Sequence, residues 1–161
     1  MFEILFNYIH MKMVELHISN SQLETLSHLS KGFISRLHHK AVPNCRIYVM
    51  NNLLEGLHCH MLSVIAEICQ LPEPAEDVEF TLDMVSYNNV FKFIKYYYED
   101  RYSYEIVKLQ MNSYKNFHLT CYNLTRIANH LNTDPLLFLF ELIVKYPEYS
   151  KASDASKEIT S

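Results

Sequence analysis

Glycine is nearly missing from this chain. Of 161 residues only Gly32 and Gly56 are glycine, five are proline, and tryptophan does not occur. Two isolated glycines cannot make the glycine-rich loop that cradles phosphates in nucleotide-binding enzymes. They also leave too few turn residues for a many-stranded sheet, so helices joined by short loops are expected. No spaced nucleophile and base, and no cofactor motif, point to an enzyme. The four cysteines, Cys45, Cys59, Cys69 and Cys121, are scattered without a CxxC pair. That usage reads as reduced thiols in a cytoplasmic protein, with neither a disulfide nor a zinc framework. His58, Cys59 and His60 cluster locally, but a structural metal site needs four ligands at usable spacing, and a helix end carrying exposed histidines is the simpler reading. No apolar run reaches the roughly 18 residues needed to cross a bilayer. The nearest, Leu136 to Val144, contains Glu141. Glu3, His10, Lys12 and Glu15 interrupt the opening segment, which argues against a signal peptide, and no membrane partner is expected.

What the chain does contain is apolar material, 49% of its residues, and a net charge of -4. The most informative stretch is Ile18 to Arg46. Leu23 and Leu26 stand at helical spacing behind Ser19 and Asn20, residues of the type that start helices. Ser30 offers a second cap, and Phe33, Ile34 and Leu37 then repeat as one apolar stripe. Two short helices so closely joined must cross steeply, as in a helix-turn-helix. Between Thr25 and Leu54 there is no Asp or Glu, while Lys31, Arg36, Lys40 and Arg46 are present. A basic run without acids suits a polyanion. A solvated face in a chain with few charges is the plainer alternative.

These residues also resemble a family. ISNSQLE, HLSKGFISRL, the loop HHKAVPNCR and VMNNLLEGL, within Ile9 to Leu57, look like the helix-turn-helix of the phage-repressor family of Cro/C1 or XRE type. The resemblance implies an all-α, lambda-repressor-like bundle and a double-stranded DNA partner. By position, Lys31, Gly32, Ser35 and Arg36 would face the major groove, with Ser30 capping the helix. Asn20 would meet a phosphate at a helix start, and Lys40 and Arg46 would follow the backbone. Two residues depart from the pattern. Glu24 replaces a small residue between the crossing helices, and a buried carboxylate is costly unless partnered. Contact with His28, four residues on, or a more open crossing would relieve it. His28 itself replaces the usual glycine of the turn. These departures suit the alternative of a helix-turn-helix-derived protein-interaction module, antirepressor or antitoxin-like, without strong DNA binding.

Along the chain, Met1 to Leu16 reads as a first helix carrying Ile4, Leu5, Tyr8, Ile9, Met13 and Leu16. Met50, Leu53, Leu54 and Leu57 share a face of a closing helix, and His60 to Leu71 adds an apolar helix suited either to an interface between subunits or to contact with the second half. Residues 1–71 are thus expected to form the DNA-binding domain, followed by an acidic, proline-containing linker over 72–79. A second helical domain over 80–147 opens with an aromatic helix, Tyr87 to Tyr98, where Tyr96, Tyr97, Tyr98, Tyr102 and Tyr104 suit packing more than base stacking. Leu124, Ile127, Ala128 and Leu131 repeat the closing helix, so this half reads either as a degenerate second helix-turn-helix or as a dimerisation domain. As a second reader its candidates are Lys108, Ser113, Tyr114, Lys115 and His118. Asp134 caps a last apolar helix, and 148–161 read as a disordered polar tail. A homodimer or an internal pseudo-dimer is expected in either case.

Overall fold

The computed structural model describes residues 2–38, 45–101 and 118–151. These residues fold into helices without strands, apart from two isolated antiparallel bridges, Arg46 with Thr120 and Ser86 with His118. Contacts divide the chain into two compact units, residues 1–73 with 120–123, and residues 74–119 with 124–161.

The first unit contains α1 (Phe2–Glu15), α2 (Asn20–Leu26), α3 (Phe33–His38), α4 (Ile47–Gly56) and α5 (Met61–Cys69). Leu5, Ile9 and Met13 form the buried stripe of α1, whereas Ile4 and Leu16, expected beside them, are about half exposed, at 48% each. On α2 the buried pair is Leu23 and Glu24, and Leu26 is 53% exposed. A seven-residue helix presents only one short face, and Leu26 lies off it. Ile34 and Leu37 of α3 meet Ile9 and Met13 of α1 and Leu53 of α4 around a small apolar cleft. The last residue of α4 lies against α2. A Cβ on Gly56 would come within 2.7 Å of Ser27 Oγ and 3.1 Å of Leu23 Cδ1, so one of the two glycines is needed for a close helix approach. Met61, Leu62, Val64, Ile65 and Ala66 of α5 are buried within the chain, so this apolar face is not open for an interface between subunits, one of its two expected uses.

The second unit is built on α6 (Tyr87–Tyr97), α7 (Cys121–His130, whose first three residues group with the first unit) and α8 (Pro135–Val144). Ser86 and Asp134 cap α6 and α8, the latter accepting from the amides of Leu136 (2.9 Å) and Leu137 (3.1 Å) ahead of a first-turn proline. At the end of α6 the tyrosines divide: Tyr97 and Tyr98 are half-buried against Phe93, which meets Tyr97, Tyr98, Phe138 and Tyr149 at centroid distances of 5.1 to 6.0 Å, whereas Tyr96 is 53% exposed. Tyr102 and Tyr104 lie outside the described residues. Residues 148–151 correct the expected tail. They are helical, and Tyr149 is only 1% exposed. Its hydroxyl accepts from Asn89 Nδ2 (2.7 Å) and donates to the Leu142 carbonyl (2.8 Å), while burial pushes its phenol above the usual range. One ring thereby ties residues 148–151 to α6 and α8, and the rest of the expected tail, 152–161, lies outside the described residues.

Scarce glycine leaves a mark on the helix ends. His17, His28, His58, Gln70 and Asn132 all take positive φ, between 54° and 58°, where helices commonly end on glycine. Around each, the amide one residue later reaches back to the last helical turn, as in Leu29 N–H to Glu24 C=O at 2.8 Å and Cys59 N–H to Leu54 C=O at 2.9 Å. Two of these ends belong to a repeat. Shifted by 74 residues, Ile47–Gly56 falls on Cys121–His130 and Met61 on Pro135. The turn bond Cys59 to Leu54 falls on Thr133 to Ala128, and His58 on Asn132. Leu57 and Leu131 are buried at matching places. Each half thus has the same helix, four-residue turn and helix.

Candidate nucleic-acid interface

The site is built around the turn between α2 and α3. The start of α2 is fixed locally: Ser19 Oγ accepts from the Gln22 amide (3.2 Å) while Gln22 Oε1 accepts from the Ser19 amide (2.8 Å), a complete capping box. Asn20, expected to meet a phosphate, is the first residue of that helix and half-buried.

The start of α3 is fixed from a distance. Glu24, on α2, is 4% exposed, and its carboxylate turns to the amino end of α3. One oxygen accepts from the Gly32 amide (3.1 Å), the other from the Ile34 amide (2.9 Å). The Ile34 amide does most to hold this carboxyl below its ordinary value, with the Gly32 amide and the Arg36 guanidinium acting in the same sense against burial. The expected contact with His28 is not the one that partners this carboxylate: Glu24 turns to α3, whose unsatisfied helix amides are the partners that a buried carboxylate requires. Gly32, at φ 85°, makes the bend that aims its amide at Glu24, which side chains rarely allow. His28 sits at φ 58° with its ring in solvent, so the turn keeps the left-handed geometry for which glycine is best suited.

The other proposed readers are exposed. Lys31 precedes α3, and Ser35 and Arg36 lie on the helix face opposite the buried Ile34 and Leu37. Ser30 Oγ, expected to cap α3, accepts from Arg36 Nη2 (3.2 Å), and Arg36 Nη1 reaches the Lys31 carbonyl (3.4 Å). The guanidinium therefore folds over the start of its own helix. Arg46 stands at the start of α4, exposed, with Nη1 donating to the Tyr48 hydroxyl (3.2 Å). Lys40 lies outside the described residues, as do Lys108, Ser113, Tyr114 and Lys115 of the second half; His118 is half-buried in the bridge to Ser86.

The structure thus brings Ser30, Lys31, Gly32, Ser35 and Arg36 together on one short turn and helix. Sequence reasoning missed the role of Glu24, whose partners lie eight and ten residues away, in the bend before α3 and in its first turn. The only signal was a carboxylate at a position that had to be buried. Among the described residues no group of three or more His, Cys, Asp or Glu side chains is arranged to hold a metal ion. Cys59 Sγ donates to the Leu57 carbonyl (3.5 Å), and His58 and His60 flank it at the turn into α5. No helix among the described residues is long and apolar enough to cross a membrane. Comparison with family models, curated proteins and solved structures finds no match to this chain.

Proposed function

We propose that the chain is a sequence-specific DNA-binding transcriptional regulator of the cytoplasm, with a lambda-repressor-like helix-turn-helix whose α3 enters the major groove. The observation that carries this reading is the treatment of Glu24. It is the acid nearest to α3 in sequence, and its charge is withdrawn into the protein to hold two amides, leaving Lys31, Ser35 and Arg36 on an exposed face. A helix that meets phosphates and base edges needs this distribution: cations outward and local acids neutralised. Arg36 exchanges its two surface hydrogen bonds for a guanine edge or a phosphate, which is a small loss because both bonds are exposed to water. Arg46, at the start of α4, follows the backbone. The repeated helix pair supports a second, degenerate copy of the same domain in the C-terminal half, and pairing of copies, within or between chains, reads two half-sites.

A second reading, a protein-interaction module kept on the same fold, is favoured by the 53% exposure of Leu26 and by the inward-folded Arg36. Titration of the full chain onto random and genomic duplex pools, first at low and then at physiological salt, separates the two. An enriched motif, with affinity falling steeply as salt rises, is the expected result for the regulator. No retention at low salt overturns it in favour of the interaction module.

A further inference from the structure

The first unit holds two thiols that neither the turn nor α3 uses. Cys45, just before α4, and Cys121, at the start of α7, are 5% and 0% exposed and 76 residues apart in sequence, with Sγ atoms 3.8 Å from each other. Main-chain register explains the meeting. Arg46 and Thr120 pair in an antiparallel bridge, so Cys45 and Cys121 form the next opposed pair, and the Cys121 amide donates to the Cys45 carbonyl at 2.8 Å. Opposed residues joined by such a bond have Cα atoms about 5.5 Å apart. A disulfide accepts roughly 4.4 to 6.8 Å. The backbone therefore already has the spacing of the cross-linked form, and side-chain rotation must bring the sulfurs to about 2 Å.

We propose that Cys45 and Cys121 are a covalent cross-link site, converted by hydrogen peroxide into an intramolecular disulfide that ties the start of α4 to the start of α7. The Cys45 sulfur attacks one peroxide oxygen, the O–O bond breaks, and water leaves behind a sulfenic acid. The Cys121 sulfur then attacks the Cys45 sulfur, the S–O bond breaks, and a second water leaves as the S–S bond forms. The two sulfurs together give up two electrons, peroxide takes them, and both thiol protons end in water. The order follows from the surroundings: Cys121 is the more buried, and its hydrogen bond to Cys45 together with burial raises its pKa, which disfavours the thiolate that must attack first. Burial of both sulfurs makes the reaction wait on local opening, so it is slow beside that of an exposed thiol. Because Arg46 follows Cys45 directly, the bond would fix the backbone that carries a candidate phosphate contact. The cross-link itself does not depend on DNA binding.

The test is peptide mapping of the full chain after peroxide treatment, unfolding in alkylating agent and digestion. The expected result is a mass loss of two hydrogens, a single linked peptide pair joining Cys45 to Cys121, and reversal by dithiothreitol. Closing so long a loop also raises Tm, on the order of 10 °C. The double variant Cys59→Ser/Cys69→Ser keeps the link, and Cys45→Ala, a substitution that adds no buried polar atom, abolishes it. Alkylation of Cys45 and Cys121 in full after peroxide treatment, or links that run to Cys59 or Cys69 instead, would overturn the proposal. DNA retention measured on the same oxidised and reduced samples reports separately on the regulator reading.

Discussion

Glu24 has two carboxylate oxygens, and each holds an amide of the segment that leads into α3. Its pKa is lowered in the folded state, so the stability it contributes is fully present above the ordinary carboxylate value, about 4.3 in an unfolded chain, and is lost as pH falls through the lower folded value. Urea midpoints measured between pH 7 and pH 3 should therefore fall more for the parent than for Glu24→Gln, which has no carboxylate to protonate. At neutral pH Glu24→Gln should be the less stable protein, because its amide NH2 meets a backbone donor where an oxygen had accepted. Glu55→Gln, at an exposed site, serves as the control and should change little. Equal pH profiles for parent and Glu24→Gln would remove the cap from the account. The Ser19 capping box was legible because its rule is local, a serine with glutamine three residues on. The Glu24 cap was not, since helix amides can recruit a carboxylate from anywhere in the fold. Cys45 and Cys121 were unreadable as a pair for the same reason.

At the scale of the element, helix length and helix ending are governed by different residues. Helices α6 and α8 fall near the limits that apolar spacing and capping residues predict, with Asp134 opening α8 as the sequence implies. The buried sides were less legible on short helices. Leu26 looks like a core residue by spacing, yet α2 has only seven residues and turns Leu23 and Glu24 inward instead. Tyr149 was lost in a polar context, although its buried ring and two hydrogen-bond partners hold residues 148–151 against α6 and α8. Helix ends without glycine carry a cost, because a side chain in the left-handed region is strained by roughly 1–2 kcal/mol. His28→Gly should recover part of it, since the ring is exposed. The expected gain is about 1 kcal/mol, seen as a Tm increase of roughly 2–4 °C. Asn132→Gly should gain less, as asparagine tolerates this geometry better. A loss of stability in His28→Gly would show that the histidine does more than end a helix.

At the scale of the whole molecule, the net charge of -4 and the basic turn around α3 belong to different parts of the chain. Lys31 and Arg36 occur in the stretch between Thr25 and Leu54 that has no Asp or Glu, while Glu73, Glu76, Asp77 and Glu79 crowd the segment that leads into the second unit. Composition alone hides that separation; the order of residues reveals it, and the fold of Glu24 completes it. The repeat was legible in Leu124, Ile127, Ala128 and Leu131, but its exact spacing was not, because its turn depends on backbone geometry rather than residue type: His58 and Asn132 occupy the same place. The two candidate cations should be separable by what they do to DNA binding. Arg36 lies on the exposed face of α3, so Arg36→Ala should erase the preference for the selected motif, a loss of about 1–3 kcal/mol against specific sequence, while leaving weak general binding. By the family resemblance, Lys40 would follow the DNA backbone, so Lys40→Ala should weaken motif and random DNA by the same factor and lower the salt slope by about one. Binding curves for both variants on both duplexes, at three salt concentrations, provide the comparison. If neither variant differs from the parent, α3 does not read DNA and the exposed Leu26 becomes the place to look for a protein partner.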